Sequence, residues 1–358
     1  MATITIVGGG IAGLALAAAL DPERHVVTLY EQRLQMPTAN TSLAIWPGAK
    51  AALEHLGVFG ALSAESPSIE RFPIRSASGR RWAEMPTPPA PLVGRHDLLR
   101  ALAAAVPGSV RRVHERIGTD ELRTADDEVV VGADGVHSIV RRSAWADRAD
   151  AVLTPFLAVR GVLPTPAEPD AVGEYWGRGR LYGVGPHRAG TNWYASARSD
   201  LGPRDVDVAA ALEVARTGAA SLAPGLRAVL EAADPETTLA QRIWAAPRLS
   251  SYVRGRFVLV GDAAHAMTPN LGRGGCEALI DAVRLAQLLD TLPVREALPA
   301  YDRERVRPTR RLATASRMLM RVALAERVQP ARDAALGVVS RLQRSGGRSA
   351  EPVGTGAR

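Results

Sequence analysis

The chain has 358 residues, 46% hydrophobic and 23% charged, so it can bury a large core and fits a globular protein of roughly two domains. Its single cysteine, Cys276, excludes internal disulfides and a cysteine-built metal site, and no apolar run approaches the ~18 residues of a membrane span. The net charge of +7 is concentrated late: residues 303–358 hold 13 arginines against four acids without interleaved aromatics, a pattern that argues against nucleic-acid binding. That segment reads first as a solvated Arg-rich face, with an acidic partner or membrane surface as the other reading. The N-terminus enters a strand at once, with no secretory signal pattern. The cytoplasm is the expected compartment, without integral membrane association and as a monomer or homodimer.

In chain order, a β-branched run ends in Gly8-Gly9-Gly10, and Gly13 completes G-x-G-x-x-G ahead of an Ala-rich helix over 11–20. The glycines supply a tight turn, close approach to a pyrophosphate and close helix-on-strand packing. The helix start, including Ala12, offers free N–H groups to an anion. A second strand over 25–30 ends in Glu31, where an acid would bind an adenosine ribose. These features predict an ADP-containing dinucleotide without saying which. A helix opens at Pro47 and stops at Gly57. Residues 69–74 and 81–85 flank Ser76-Ala-Ser-Gly79 as a hairpin, ended by the prolines from Pro86 to Pro91. A further helix starts around Arg95, with Asp97 as its N-cap.

The strand over 128–132 ends at Asp134-Gly135, which turn chemistry alone explains as well as a cofactor contact. From 151 to 197, short alternating strands predict an antiparallel sheet with one face covered, carrying Trp176, Tyr182, Trp193 and Tyr194 as core or as substrate wall. Helices over 206–217 and 222–232 follow. A third apolar strand ends at Gly261-Asp262, and a loop with Pro269, Gly272, Arg273, Gly274 and Gly275 leads into a helix over 276–289. An acid there can bind cofactor hydroxyls, and the loop can bring N–H groups against an anionic ring; an acid-capped turn explains the stretch equally well. Residues 294–344 read as helix interrupted at Pro299, Pro308 and Pro330, and 345–358 as disordered.

Three strand-end signals in this order resemble the FAD-dependent aromatic hydroxylases and related monooxygenases, the group that includes 4-hydroxybenzoate hydroxylase. The likeness spans about residues 1–320 and adds Arg95 in Val93-Gly-Arg-His-Asp and the helix opening Tyr301-Asp-Arg-Glu-Arg305. It implies an α/β fold: a Rossmann-like FAD-binding domain (1–66, 92–150 and 251–310), a mostly antiparallel β-sheet substrate domain (67–91 and 151–250) and C-terminal helices (311–344). Gly8, Gly10, Ala12 and Gly13 would hold the FAD pyrophosphate, Glu31 the ribose, and Arg95 and Asp262 the pyrophosphate and ribityl chain, while Asp134 would serve FAD placement and access of the nicotinamide nucleotide. Pro269, Gly272, Arg273, Gly274 and Gly275 would lie along the flavin ring. NADPH or NADH would reduce FAD, and dioxygen would give a flavin hydroperoxide that oxygenates an aromatic or polyunsaturated substrate. No metal and no side-chain base is implied. Two alternatives keep the FAD: a reductase or dehydrogenase of the same fold, and a non-redox flavin-binding protein. The sequence departs from the family pattern at Asn40-Thr41-Ser42 (often Gly-x-Gly), at Arg273 (often Gln), at Ile280 (often an acid), and in a short stretch before Val129.

Overall fold

Strands that are apolar on both faces and strands that alternate cannot share one environment, and they separate here into two sheets. The computed structural model describes residues 1–346 other than 39, 125 and 146–148. β1 (Ala2–Val7), α1 (Ile11–Ala19) and β2 (His25–Tyr30) open the chain, followed by β3 (Ser42–Ala44), α2 (Pro47–His55), α3 (Phe59–Ala64) and the hairpin β4 (Ser68–Ser76) and β5 (Arg81–Gly94). Then come α4 (Arg95–Ala105), β6 (Arg111–Val113), α5 (Thr119–Thr124), β7 (Val129–Gly132) and α6 (Ile139–Ala144). The middle holds β8 (Val152–Leu163), β9 (Gly173–Trp176), β10 (Arg180–His187), β11 (Gly190–Arg198), α7 (Val208–Arg216), α8 (Pro224–Glu231) and β12 (Thr238–Ala245). β13 (Val253–Arg254), β14 (Phe257–Leu259), α9 (Asp262–His265), α10 (Gly274–Thr291), α11 (Val294–Ala323) and α12 (Gln329–Gly346) complete it.

The first sheet has the order β13-β14-β7-β1-β2-β6 and is parallel except for the β13–β14 pair. Its central strands β1 and β7 are almost wholly buried, as strands covered on both faces must be. The small side chains of α1 let α10 pack directly against it. The second sheet has the order β12-β8-β11-β10-β9-β4-β5-β3, antiparallel except for β4 beside β9. Alternation along β8 divides its residues cleanly. Leu157 and Val159 join Tyr182 and Trp193 beneath Leu212 and Leu226 of α7 and α8, while Phe156 and Ala158 join Trp82 and Trp176 beneath Met320 and Leu324. Among the described residues no helix is long and apolar enough to cross a membrane.

Several sequence expectations change. β5 runs through the proline cluster to Gly94, because it pairs with β4 as far as Pro91 and then with β3, around a register shift between Ile69 and Arg71. α11 passes unbroken through Pro299 and Pro308; each proline deletes one helical hydrogen bond, and the face carrying Leu298, Tyr301 and Val306 stays buried against the core. The N-cap of α4 is Gly94, not Asp97, which sits in the first turn and accepts from Asn40 Nδ2 at 3.0 Å. β12 is an element the sequence reading lacks. The boundaries set at 91/92 and 310/311 fall inside β5 and α11. Of the tail, 345–346 close α12 and 347–358 lie outside the described residues.

Arg332 locks α12 to the second sheet. It is buried between the rings of Trp82 and Trp176, 5.8 and 5.7 Å from their centroids, and donates to the Ala323 carbonyl at 2.6 Å and the Gly177 carbonyl at 3.2 Å. Replacing it with Ala leaves both carbonyls without a partner. R332A is expected to cost about 2–3 kcal/mol, read as a lower thermal or urea midpoint; an unchanged midpoint would show that α12 is not held this way.

Candidate functional site

The ends of adjacent parallel strands define the site. The registers Val7↔Gly132, Leu259↔Gly132 and Val7↔Tyr30 bring the turns after β14, β7, β1 and β2 to one edge of the sheet. Gly8 turns at φ +106°, and a Cβ there would lie 2.5 Å from the Ala133 carbonyl oxygen. A Cβ on Gly13 would coincide with the Gly8 carbonyl. Gly10 is different: no protein atom lies within 4 Å of its Cβ position, and it faces open space at the start of α1. Glu31 accepts from Gly9 N and Arg33 N, both at 2.8 Å, which fixes its carboxylate at the rim.

A cavity of about 1060 Å³ runs from this turn to the second sheet. Of the residues singled out in the sequence, Gly8, Gly10, Ala12, Glu31, Arg95, Asp134, Asp262, Pro269, Gly272, Arg273, Gly274 and Gly275 line it. Gly13 lies behind the turn, where it permits the close approach of α1. Arg95, in the first turn of α4, donates its N–H to the Thr41 carbonyl at 3.0 Å, and His96 N bonds Asn40 Oδ1 at 2.9 Å. Ser42 N bonds Asn192 Oδ1 of β11 at 2.9 Å. The segment Asn40-Thr41-Ser42 is therefore tied to both α4 and the second sheet.

Asp134 accepts from Ile139 N at 2.6 Å through one oxygen, while its other oxygen is buried without a partner. Burial pushes its carboxyl up, against the pull of bonds from Ser138, Ile139 and Val140. Fully buried Arg141 binds the turns after β7 and β14 to each other. It donates to the Ala263 carbonyl at 2.6 Å and also to the Val136 carbonyl. Burial holds its guanidinium below the usual arginine range. A second arginine, Arg305, donates to Asp281 at 2.5 Å and Glu277 at 2.6 Å; Asp281 also accepts from Gly261 N at 2.9 Å and bonds His265 Nε2 at 2.6 Å. The Asp281 carboxyl lies below the ordinary aspartate range because His265 and Arg305 together outweigh its burial. Beyond these turns, α10 starts without a side-chain cap, so its first N–H groups at Gly274 and Gly275 face the cavity.

The aromatic candidates are corrected. None of Trp176, Tyr182, Trp193 and Tyr194 lines the cavity. Tyr182 and Trp193 point to the α7–α8 face, where Tyr182 OH donates to the Ala215 carbonyl at 3.1 Å; Trp176 and Tyr194 both donate to buried Glu174, at 2.6 and 2.9 Å. The wall on the second sheet is built instead by Ala158, Arg160, Gln241, Ile243 and Trp244. Sequence reasoning missed Arg160, although a charge inside the apolar run of β8, on the parity of Ala158, was a usable signal. Burial, and then the nearby Arg95, push its guanidinium down to about 10, and its Nε is buried without a partner.

The unpartnered Ser42 Oγ, Asp134 Oδ1, Arg160 Nε and Arg273 Nε, with the bare Gly10 and the free helix starts of α1 and α10, are complementary to a long, anionic, hydroxyl-bearing ligand ending in a polar ring. Comparison with known proteins agrees. Residues 108–316 match the model of an FAD-binding domain, and residues 6–40 that of an NAD(P)-binding Rossmann-like domain. Aurachin C monooxygenase/isomerase from Stigmatella aurantiaca is 31% identical over 336 residues, covering 85% of each chain. 2-Heptyl-3-hydroxy-4(1H)-quinolone synthase from Pseudomonas aeruginosa is 30% identical over 338 residues, again covering 85% of each. The Klebsiella pneumoniae HpxO structure with FAD and uric acid superposes with a TM-score of 0.82 at 23% identity, over 95% of this chain and 93% of that one. The chain belongs to the FAD-dependent aromatic monooxygenases. Its cofactor is FAD, with NAD(P)H as co-substrate, and the fold class expected from the sequence is the one observed.

The two kinds of glycine in this monooxygenase give a sharp test. G10A should fold with the parent's apo-protein melting temperature yet bind FAD at least about tenfold more weakly, roughly 1.4 kcal/mol, by fluorescence titration. G13A should lower the apo-protein melting temperature itself. Parent-like FAD affinity in G10A would remove the turn from the cofactor site.

Proposed function

We propose that this monooxygenase hydroxylates an electron-rich aromatic ring, with nitrogen-bearing bicyclic compounds as the substrate class to try first and dioxygen as the oxidant. The observation that carries this is the continuity of one cavity from the dinucleotide turn, past the start of α10, to the wall of the second sheet: cofactor and substrate share a space. The relatives support the class of ring, since one is named for a hydroxyquinolone and another was solved with uric acid.

In this reading Gly8, Gly10, Gly13 and Glu31 anchor the adenosine end, and Arg95, Asp134 and Asp262 hold the pyrophosphate and ribityl chain. The loop from Pro269 to Gly275 presents the N–H groups of α10 to the ring, where a positive helix end favours developing negative charge. Bound FAD supplies hydride acceptance from NAD(P)H and oxygen transfer from dioxygen. The chain's own contribution is to bind, to orient and to exclude water, and the small Ala158 leaves room for a flat ring. Asp134 and Arg160 present polar groups to that space.

The test is oxygen incorporation. With FAD-loaded protein, NAD(P)H and ¹⁸O-labelled dioxygen, a panel of quinolones, purines, phenols and aminobenzoates should contain at least one compound that accelerates NAD(P)H oxidation several-fold and gains one labelled oxygen. FAD-loaded protein that oxidises NAD(P)H without labelling any ring would support the reductase reading instead. Protein that takes up no FAD would end the proposal.

A further inference from the structure

The outer face of α11 carries charge that nothing in the fold answers. From Arg303 to Ala323 the chain holds seven arginines against one acid, Glu304. Arg305 turns inward to Asp281 and Glu277. Arg303, Arg307, Arg311 and Arg321 are exposed, and Arg310 and Arg317 are half-buried beside them. Steps of three and four residues relate these positions, so the six share one side of the helix over about 27 Å. Among the described residues no carboxylate pairs with any of them. The acids of this corner are already engaged: Glu304 by Arg284 at 2.6 and 2.8 Å, Asp302 by Tyr252 N at 2.6 Å, and Glu326 by Arg198 at 3.3 Å. Like charges four residues apart on a helix repel, and the helix dipole favours only Arg321, in the last turn. A stripe of this kind is relieved by an anionic partner.

Apolar side chains stand among the arginines. Met318 is 62% exposed and Val322 47%, and Val328 is 62% exposed where the chain turns from α11 into α12. Beside Arg310, Thr314 and Arg317 opens a cleft of about 20 Å³ with no carboxylate in its lining, room for one small polar group. A protein partner of acidic character would need a recess or a fixed array of carboxylates to match, and this face is the convex side of one helix. A lipid surface needs neither. Its phosphates move to meet the guanidinium forks, which pair with them bidentately. Exposed apolar groups beside a cationic stripe also match the boundary between headgroups and acyl chains.

We propose that the outer face of α11 docks peripherally on a membrane surface of anionic lipids. The six arginines pair with headgroup phosphates, and Met318, Val322 and Val328 enter the headgroup–acyl boundary. The opposite face of the same helix is bonded to the cavity loop, where Thr268 Oγ1 donates to Ser316 Oγ at 2.9 Å. Docking therefore sets the cavity loop about one helix diameter, roughly 10 Å, from the lipid. The contact is independent of what the cavity holds.

The experiment is co-sedimentation of the full chain with vesicles of phosphatidylcholine alone or with about one-third phosphatidylglycerol. The protein should pellet with the anionic vesicles only, and be released as salt is raised to about 0.5 M. Each arginine near such a surface contributes about fivefold in partitioning, so R307Q/R311Q/R321Q should bind roughly a hundredfold more weakly, with the parent's melting temperature. R307K/R311K/R321K keeps the charge and should retain most of the binding. M318E/V322E should weaken it as well, and parent-like binding there would overturn the insertion of those side chains. Failure of the parent to bind anionic vesicles, equal binding to neutral ones, or parent-like binding by the triple Gln variant would overturn the proposal. Capture of the protein by immobilised polyglutamate with no binding to vesicles would do the same, and would assign the face to an acidic protein.

Discussion

Everything at this site depends on the parallel register of β14, β7, β1 and β2. Ile4, Ile6 and Val130 are buried within it, and both faces of these strands are covered, so the register is held by the ladder Ile4↔Val129, Thr5↔Val130, Ile6↔Val131 and Val7↔Gly132. The ladder continues one step beyond the strands: Ala133 N bonds the Val7 carbonyl at 2.8 Å, Gly8 N the Tyr30 carbonyl at 2.8 Å, and Val260 N the Gly132 carbonyl at 3.0 Å. The turns therefore leave the sheet at one level. Gly8 and Gly261 then bend in the left-handed region, at φ +106° and +59°, where a side chain would be strained and would meet Ala133 or Ala278. In the placement proposed above, a long ligand along that edge would meet each turn in sequence, adenosine first and ring last.

Turns of this kind have few backbone bonds of their own, and two buried arginines hold them. Arg141 ties the turn after β7 to the one after β14, and Arg305 ties α11 to Glu277 and Asp281 of α10, which in turn hold Arg273 and Gly261 N. Burying a charge is costly unless it is paired, and here each guanidinium is met by carbonyls or carboxylates within hydrogen-bond reach. The gain is placement more than stability. His265 belongs to this arrangement: Asp281 and Asp262 raise its ring above the ordinary histidine range against the effect of burial. Asp281 and His265 hold opposite charges most firmly below the histidine's raised value and above the aspartate's lowered one.

The parts of this site legible in the sequence are those with local steric causes. Gly13 is required by the carbonyl of Gly8 five residues before it, Gly8 turns in the left-handed region, and Asp134 and Asp262 follow apolar runs short enough to be strands. What was not legible was decided by distant partners. β12 reads as polar, and it becomes a strand because Thr238 to Ala245 pairs along β8. Pro299 and Pro308 look like breaks, yet the buried face of α11 outweighs one missing bond at each. Arg305 and Asp281, 24 positions apart, meet only after α10 and α11 have packed. The aromatic residues were placed in the right sheet, but the face each presents depends on which strand it sits in and how that strand pairs.

That last error is instructive about the cavity. The rings of Tyr182 and Trp193 stiffen the sheet from behind, under α7 and α8, while Tyr194 lies across Gly183 of the neighbouring strand, where even a Cβ would collide with its ring. Tyr194 and Trp176 both donate to Glu174, whose carboxyl burial pushes up, and burial with the adjacent Glu174 pushes the Tyr194 hydroxyl well above the usual tyrosine range. This is a hydrogen-bonded block that contributes rigidity rather than a proton. The sheet can then present Ala158, Arg160, Ile243 and Trp244 to the cavity without yielding. A reactive cofactor requires a wall that keeps water out and does not move, and here the heavy side chains packed on the α7–α8 face support that wall from behind.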